Sequence, residues 1–210
     1  MTGLSVLLLG VGLGLRHATD ADHVVVVSAL VQRDPCLWRA ARVAALWGLG
    51  HSATFFGLGL SIVLAGVRIS ATFDRCADVL VALMLLGFGV WHLMRSRGER
   101  AEVTAGEGAS TYARPVLIGV VHGLAGSAAI ALLAATTIPS RTLAALYLAL
   151  FAFGTVLGMV ALTVIMSQPI SWTMRRPGLL RRALTVLASL LSVGLGVVIL
   201  ARTMFGAGAP

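Results

Sequence analysis

The chain contains no lysine among its 210 residues, and that absence removes one class of machine. The phosphate loop of a nucleotide-driven pump, GxxxxGK[ST], needs a lysine, so any transport here draws on gradients or on a separate subunit. Charge of either sign is scarce: 11% of residues are charged against 58% hydrophobic, with a mean hydropathy of +0.95. Such a balance excludes an ordinary soluble globule and points to an integral membrane protein. All 16 basic residues are arginine, giving a net charge of +8 and a pI near 11.4. Nucleic-acid binding would need them in one surface stripe. They lie instead between apolar segments, so no nucleic-acid partner is expected.

Six apolar segments are long enough to span a bilayer, which takes about 20 residues of helix for a ~30 Å hydrocarbon core. They run near Leu4 to Val31, Ala41 to Gly66, Ala77 to Met94, Pro115 to Ile138, Leu143 to Ser167 and Leu184 to Met204. The first lacks a basic n-region and a small-residue cleavage site before Arg16, so it reads as a retained span rather than a signal peptide. The stretch "SRGERAEVTAGEGASTYA", Ser96 to Ala113, has no apolar periodicity and reads as a flexible linker. In alternate connections the arginines divide eleven to four, which is a positive-inside bias that puts both termini outside the cytoplasm. The two cysteines, Cys36 and Cys76, then fall in a cytoplasmic and an outer connection. A membrane thiol-disulfide relay would need their Cα atoms within about 7 Å, so opposite faces disfavour it. Both thiols read as small apolar filler.

The linker separates two similar halves. "GLRHATDADHVVVVSAL" from Gly14 lies over "GVVHGLAGSAAIALLAA" from Gly119, so that His17 meets His122 at an offset of 105. At similar offsets Gly50 meets Gly154, and "GFGVWHLMR" from Gly87 meets "GLGVVILAR" from Gly194. Each half holds an odd number of spans, so the second would insert upside down, an inverted repeat of the kind transporters use.

Against this apolar background "GLRHATDADHVV", residues 14–25, is the anomaly. His17 lies mid-segment, near the bilayer midplane, where an ionisable group costs at least a few kcal/mol unless it faces protein or water. On an ideal helix His17, Asp20 and His23 share a broad face while Asp22 points elsewhere. If glycines 10, 12 and 14 loosen the helix, an unwound stretch could turn all four toward one cavity. Two imidazoles with two carboxylates suit nickel, cobalt, zinc or copper rather than calcium or magnesium. The competing reading is a structural network in which Arg16 neutralises an aspartate. Among the other histidines, His51 in "WGLGHSATFF" sits beside Gly50 and Ser52 mid-span, as a ligand or a buried hydrogen-bonded residue. His122, the mate of His17, has no carboxylate beside it in sequence, and His92 adjoins Trp91 and Arg95 at a span end, as in an interfacial belt.

"RHATDADHVV" resembles the HxxxxDH signature of the nickel/cobalt transporter family, with His17, Asp22 and His23 at the required spacing. "LGHSATFF" is similar to that family's second motif, and "HGLAGSAAI" looks like its shorter urease-accessory and nickel/cobalt-efflux relatives. The resemblance implies a secondary permease for Ni2+ or Co2+ in which His17, Asp22, His23 and His51 handle the metal. Two departures stand out: the family's acidic GxDTATE motif is absent, and six spans are fewer than the eight of its full-length permeases.

The expectation is therefore an all-α membrane protein of six transmembrane helices in an inverted three-plus-three repeat. It forms one domain over 1–210, with repeat one 1–97, linker 98–113 and repeat two 114–210. It is a permease and not an enzyme; it has no catalytic residues and no cofactor, and the dication is its cargo. His17, Asp22 and His23 are the expected primary ligands, joined by Asp20 and His51. His122, Ser52 and Ser127 are expected to line the cavity, and Arg16 to act as a structural counter-charge. The alternative is a non-transporting membrane accessory protein that delivers metal to an enzyme such as urease. Expected partners are a divalent metal ion, the lipid bilayer, and a second copy or an accessory subunit, in a bacterial-type inner membrane. Inward movement of a dication gains about 4.6 kcal/mol per 100 mV, which makes uptake simpler than export.

Overall fold

A computed structural model describes residues 3–33, 36–67, 69–95, 110–124, 132, 135–175 and 179–206. Among them the chain is helical, with no strand: α1 (Gly3–His17), α2 (Ala21–Arg33), α3 (Leu37–Ala65), α4 (Ala71–Arg95), α5 (Ser110–His122), α6 (Arg141–Arg175) and α7 (Leu179–Phe205). Side-chain and backbone caps set several of these ends. Ser70 and Ser140 accept from the N–H groups of Phe73 (3.2 Å) and Leu143 (3.3 Å), which caps α4 and α6. Gly66 closes α3 in the left-handed conformation at φ 63°, its N–H bonded to the Ile62 carbonyl, a geometry that favours glycine.

Among the described residues four helices are long and apolar enough, by length and composition, to cross a membrane: α3, α4 over Ala71–Met94, α6 over Arg141–Ile170 and α7 over Arg182–Phe205. They coincide with the expected second, third, fifth and sixth spans. Their outward faces carry Leu83, Leu157, Ile165, Leu190 and Val197, all exposed, as hydrocarbon contact requires and water would not. The chain is a helical membrane protein.

The expected first and fourth spans are not single helices. Helix α1 runs unbroken through glycines 10, 12 and 14 and stops at His17; the chain turns through Ala18–Asp20 and restarts as α2. The Thr19 hydroxyl donates to the Arg16 carbonyl (2.6 Å), and the N–H of Thr19 reaches the same carbonyl. This tightens the last turn of α1 and ends it, so the break falls after the glycines rather than at them. Likewise α5 stops at His122 and a turn follows at Gly123 and Leu124. Ser110 to Ala113, expected in the linker, form the first turn of α5, while 98–109 lie outside the described residues.

Glycines make the helix seams. A methyl group on Gly14 would collide with the Phe151 carbonyl, and one on Gly154 with the Val11 carbonyl, so α1 and α6 pack backbone to backbone. The pair recurs between α5 and α3: Gly119 abuts the Trp47 carbonyl and Gly50 the Val116 carbonyl. Helices α4 and α7 repeat the device, with Gly89 on the Ser189 carbonyl and Gly196 on the Ala82 carbonyl. These backbone approaches fix where α1, α3 and α5 present their side chains.

Candidate metal centre

Both helix interruptions end on a histidine, and the two ends converge. His17, at the end of α1, and His122, at the end of α5, lie with His23 of α2 and His51 of α3 in one buried cluster. His23 stands at its centre, with ring centroids 4.7 Å from His17, 4.9 Å from His51 and 4.9 Å from His122. Gly50 and Gly119 let α3 and α5 approach closely enough for His51 and His122 to meet. Phe151 lies against His17, and Trp47 lies against both His23 and His122, closing the cluster with aromatic rings.

Two carboxylates orient these rings. Asp20 accepts from Nδ1 of His17 (2.9 Å), and Asp22 accepts from Nδ1 of His23 (3.1 Å) with one oxygen and from Nε2 of His122 (2.8 Å) with the other. A neutral imidazole carries one proton and one lone pair, so a carboxylate on Nδ1 leaves Nε2 as the donor atom. Backing an imidazole with a carboxylate is how proteins fix a histidine for metal. Nε2 of His17 accepts a hydrogen bond from Nε2 of His51 at 3.1 Å. Two nitrogens each about 2.0–2.1 Å from a common ion at tetrahedral or square angles stand about 2.9–3.4 Å apart, so this pair already has the separation of two ligands.

Three imidazole nitrogens in the cluster are buried without a hydrogen-bond partner, Nε2 of His23, Nδ1 of His51 and Nδ1 of His122, and so is Nε1 of Trp47 beside them. Each such orphan costs about 1–3 kcal/mol. Together they weigh heavily against a typical total stability of about 5–15 kcal/mol. The donor atoms of His17, His23 and His51 lie within 4.8 Å of one another, and so do those of Asp22, His23 and His122. An imidazole-rich set with carboxylates fits a transition-metal dication.

His17, Asp20, Asp22, His23 and His51 lie together, and His122 joins them through Asp22, the carboxylate it lacks in sequence. Asp22 does not point away: the restart at Ala21 turns it onto His122. Arg16 is exposed, and the histidines rather than Arg16 take up both aspartates. The Ser52 hydroxyl donates to the Ala152 carbonyl (3.2 Å), tying α3 to α6 beside the cluster. Ser127 lies outside the described residues. Trp47 was not foreseen; its only signal was a position four residues before His51, one helical turn away. Cys36 and Cys76 are exposed, and no disulfide joins them.

The chain is 33% identical over 184 residues to the urease accessory protein UreH of Bacillus sp. (strain TB-90), across 82% of this chain and 81% of that protein. The chain belongs to the UreH family. A stretch of 88 residues, 42% of this UreH-family chain, is 34% identical to the chloroplast protein FOR GROWTH AND FERTILITY 2 of Arabidopsis thaliana, spanning 24% of that longer protein. No family model matches the chain, and no solved structure matches it.

Proposed function

We propose that this UreH-family protein is a secondary permease for Ni2+ or Co2+, moving the ion by alternating access past the histidine cluster. The observation that carries this reading is the pair of carboxylate-backed imidazoles, Asp20 on His17 and Asp22 on His23, inside an apolar helical protein. Buried ionisable groups within a membrane domain are expensive and serve function by default. His17, His23 and His51 hold the ion, Asp20 and Asp22 orient them and lower the site's charge, and His122 completes its wall. From Arg16 to His23 the formal charge is −1 with neutral histidines, so a bound dication brings the stretch to only +1.

The chain crosses the membrane six times as two inverted halves, with both termini outside the cytoplasm. The reciprocal glycine contacts support the repeat: the pair Gly14 on Phe151 and Gly154 on Val11 maps onto Gly119 on Trp47 and Gly50 on Val116 at offsets of 104 to 105. Helix α1 breaks before α2, and α5 ends in a turn at Gly123 and Leu124; helix interruptions of this kind are where transporters place their sites.

The relative's name favours a second reading, a membrane accessory that hands nickel to an enzyme without transporting it. Purified protein in vesicles holding a metal-sensitive dye, under an inside-negative potential, separates the two. The permease predicts Ni2+ or Co2+ entry above protein-free vesicles, with Zn2+ and Mn2+ tested as competitors. Metal binding in detergent without entry would support the accessory role instead.

A further inference from the structure

The two metal-capable sets share one residue. His17, His23 and His51 form one, Asp22, His23 and His122 the other. We propose that they are two alternate stations for a single ion, and that His23 passes the cargo between them by exchanging one ring nitrogen for the other. This rests on the metal-handling reading above.

The chemistry of His23 makes the stations exclusive. A neutral imidazole offers one lone pair at a time. With Asp22 holding Nδ1–H, the lone pair is at Nε2, which is buried and without a partner and so is available to an ion shared with His17 and His51. With the proton shifted to Nε2, Nδ1 becomes the donor, and Asp22 changes from accepting two N–H bonds to coordinating the ion beside His122. Water relays the exchange, taking the proton from Nδ1 and delivering one to Nε2, so the ring carries one proton before and after and the step is balanced. His122 can likewise present Nε2 by carrying its proton on Nδ1, which has no other partner.

Burial and charge distinguish the stations. The first is three buried imidazoles, and the second sets Asp22, 14% exposed, beside two fully buried histidines. Three neutral imidazoles leave a dication at +2, whereas two imidazoles and a carboxylate leave it at +1, which is cheaper in apolar surroundings. Conduction needs binding strong enough to enter and divided enough to leave. Two stations that share a ligand meet both needs, since neither can keep all its ligands while the other is filled.

The test uses the full-length protein with Co2+, read by calorimetry, by visible absorption, and by flux into vesicles. The parent should bind one ion per chain. His51→Ala and His122→Ala should each still bind one, because the other station keeps its ligands, with a weakening no larger than the about 10–100-fold that loss of an orienting partner costs. Their visible spectra should differ from each other, and each should lose at least nine-tenths of the flux. His23→Ala should lose binding and flux together. If His122→Ala does not give monodisperse protein, His122→Gln, which keeps an N–H for Asp22, carries the comparison. Two ions per parent chain, or a position-122 variant that loses binding as fully as His23→Ala or transports like the parent, would overturn the two-station proposal alone. A parent that binds no Co2+ would overturn the metal-handling reading itself.

Discussion

Asp20 and Asp22 carry two negative charges into an apolar fold, and each meets an imidazole rather than the neighbouring guanidinium of Arg16. The difference is functional, because a carboxylate on Nδ1 selects the tautomer and raises the basicity of Nε2. Asp20→Asn should therefore weaken Ni2+ affinity about 10–100-fold, the range for losing such a partner. It should barely shift the melting temperature, since this side chain is well exposed. Adding Arg16→Gln should not restore affinity. Calorimetry and melting in detergent check both; unchanged affinity, with a stability loss that the Arg16 change rescues, would return the aspartates to a scaffolding role. Acid should release the ion from the parent, because a ligand imidazole must be neutral, so retention of metal under acidic conditions would contradict imidazole ligation.

Between helices, the glycines show what pattern reading captures and what it misses. Gly12 and Gly14 look alike in sequence, yet Gly12 meets nothing within 4 Å while Gly14 rests on the Phe151 carbonyl. Gly14→Ala should destabilise by about 1–3 kcal/mol through overpacking. Gly12→Ala should be neutral, or stabilise by up to about 1 kcal/mol through helix propensity. Melting of the two single variants decides the matter, and equal effects would contradict the seam. Four long helices were legible because hydropathy over about 20 residues is a strong signal. The breaks at His17 and His122 were not, because a hydropathy window averages over short turns such as Ala18–Asp20 and Gly123–Leu124. The HxxxxDH spacing brought out His17, Asp22, His23 and, with the second motif, His51. The convergence of His122 on Asp22 depends on how α3 and α5 pack, which no local pattern carries.

Across the whole molecule, the eleven-to-four arginine division predicts that the segment between α4 and α5 lies on the cytoplasmic side. Single cysteines placed at residues 98–109, in a chain whose Cys36 and Cys76 are replaced by serine, should react with a membrane-impermeant maleimide only after the inner face is opened. Labelling in intact cells would reverse the topology and exchange the entry and exit sides. X-ray absorption on the Ni2+-loaded protein reads directly whether imidazoles gathered from α1, α2 and α3 hold the cargo. Two or three imidazole nitrogens are expected at about 2.0–2.1 Å from the metal, a signal that falls in His23→Ala. A first shell of oxygen alone, unchanged by that substitution, would contradict it.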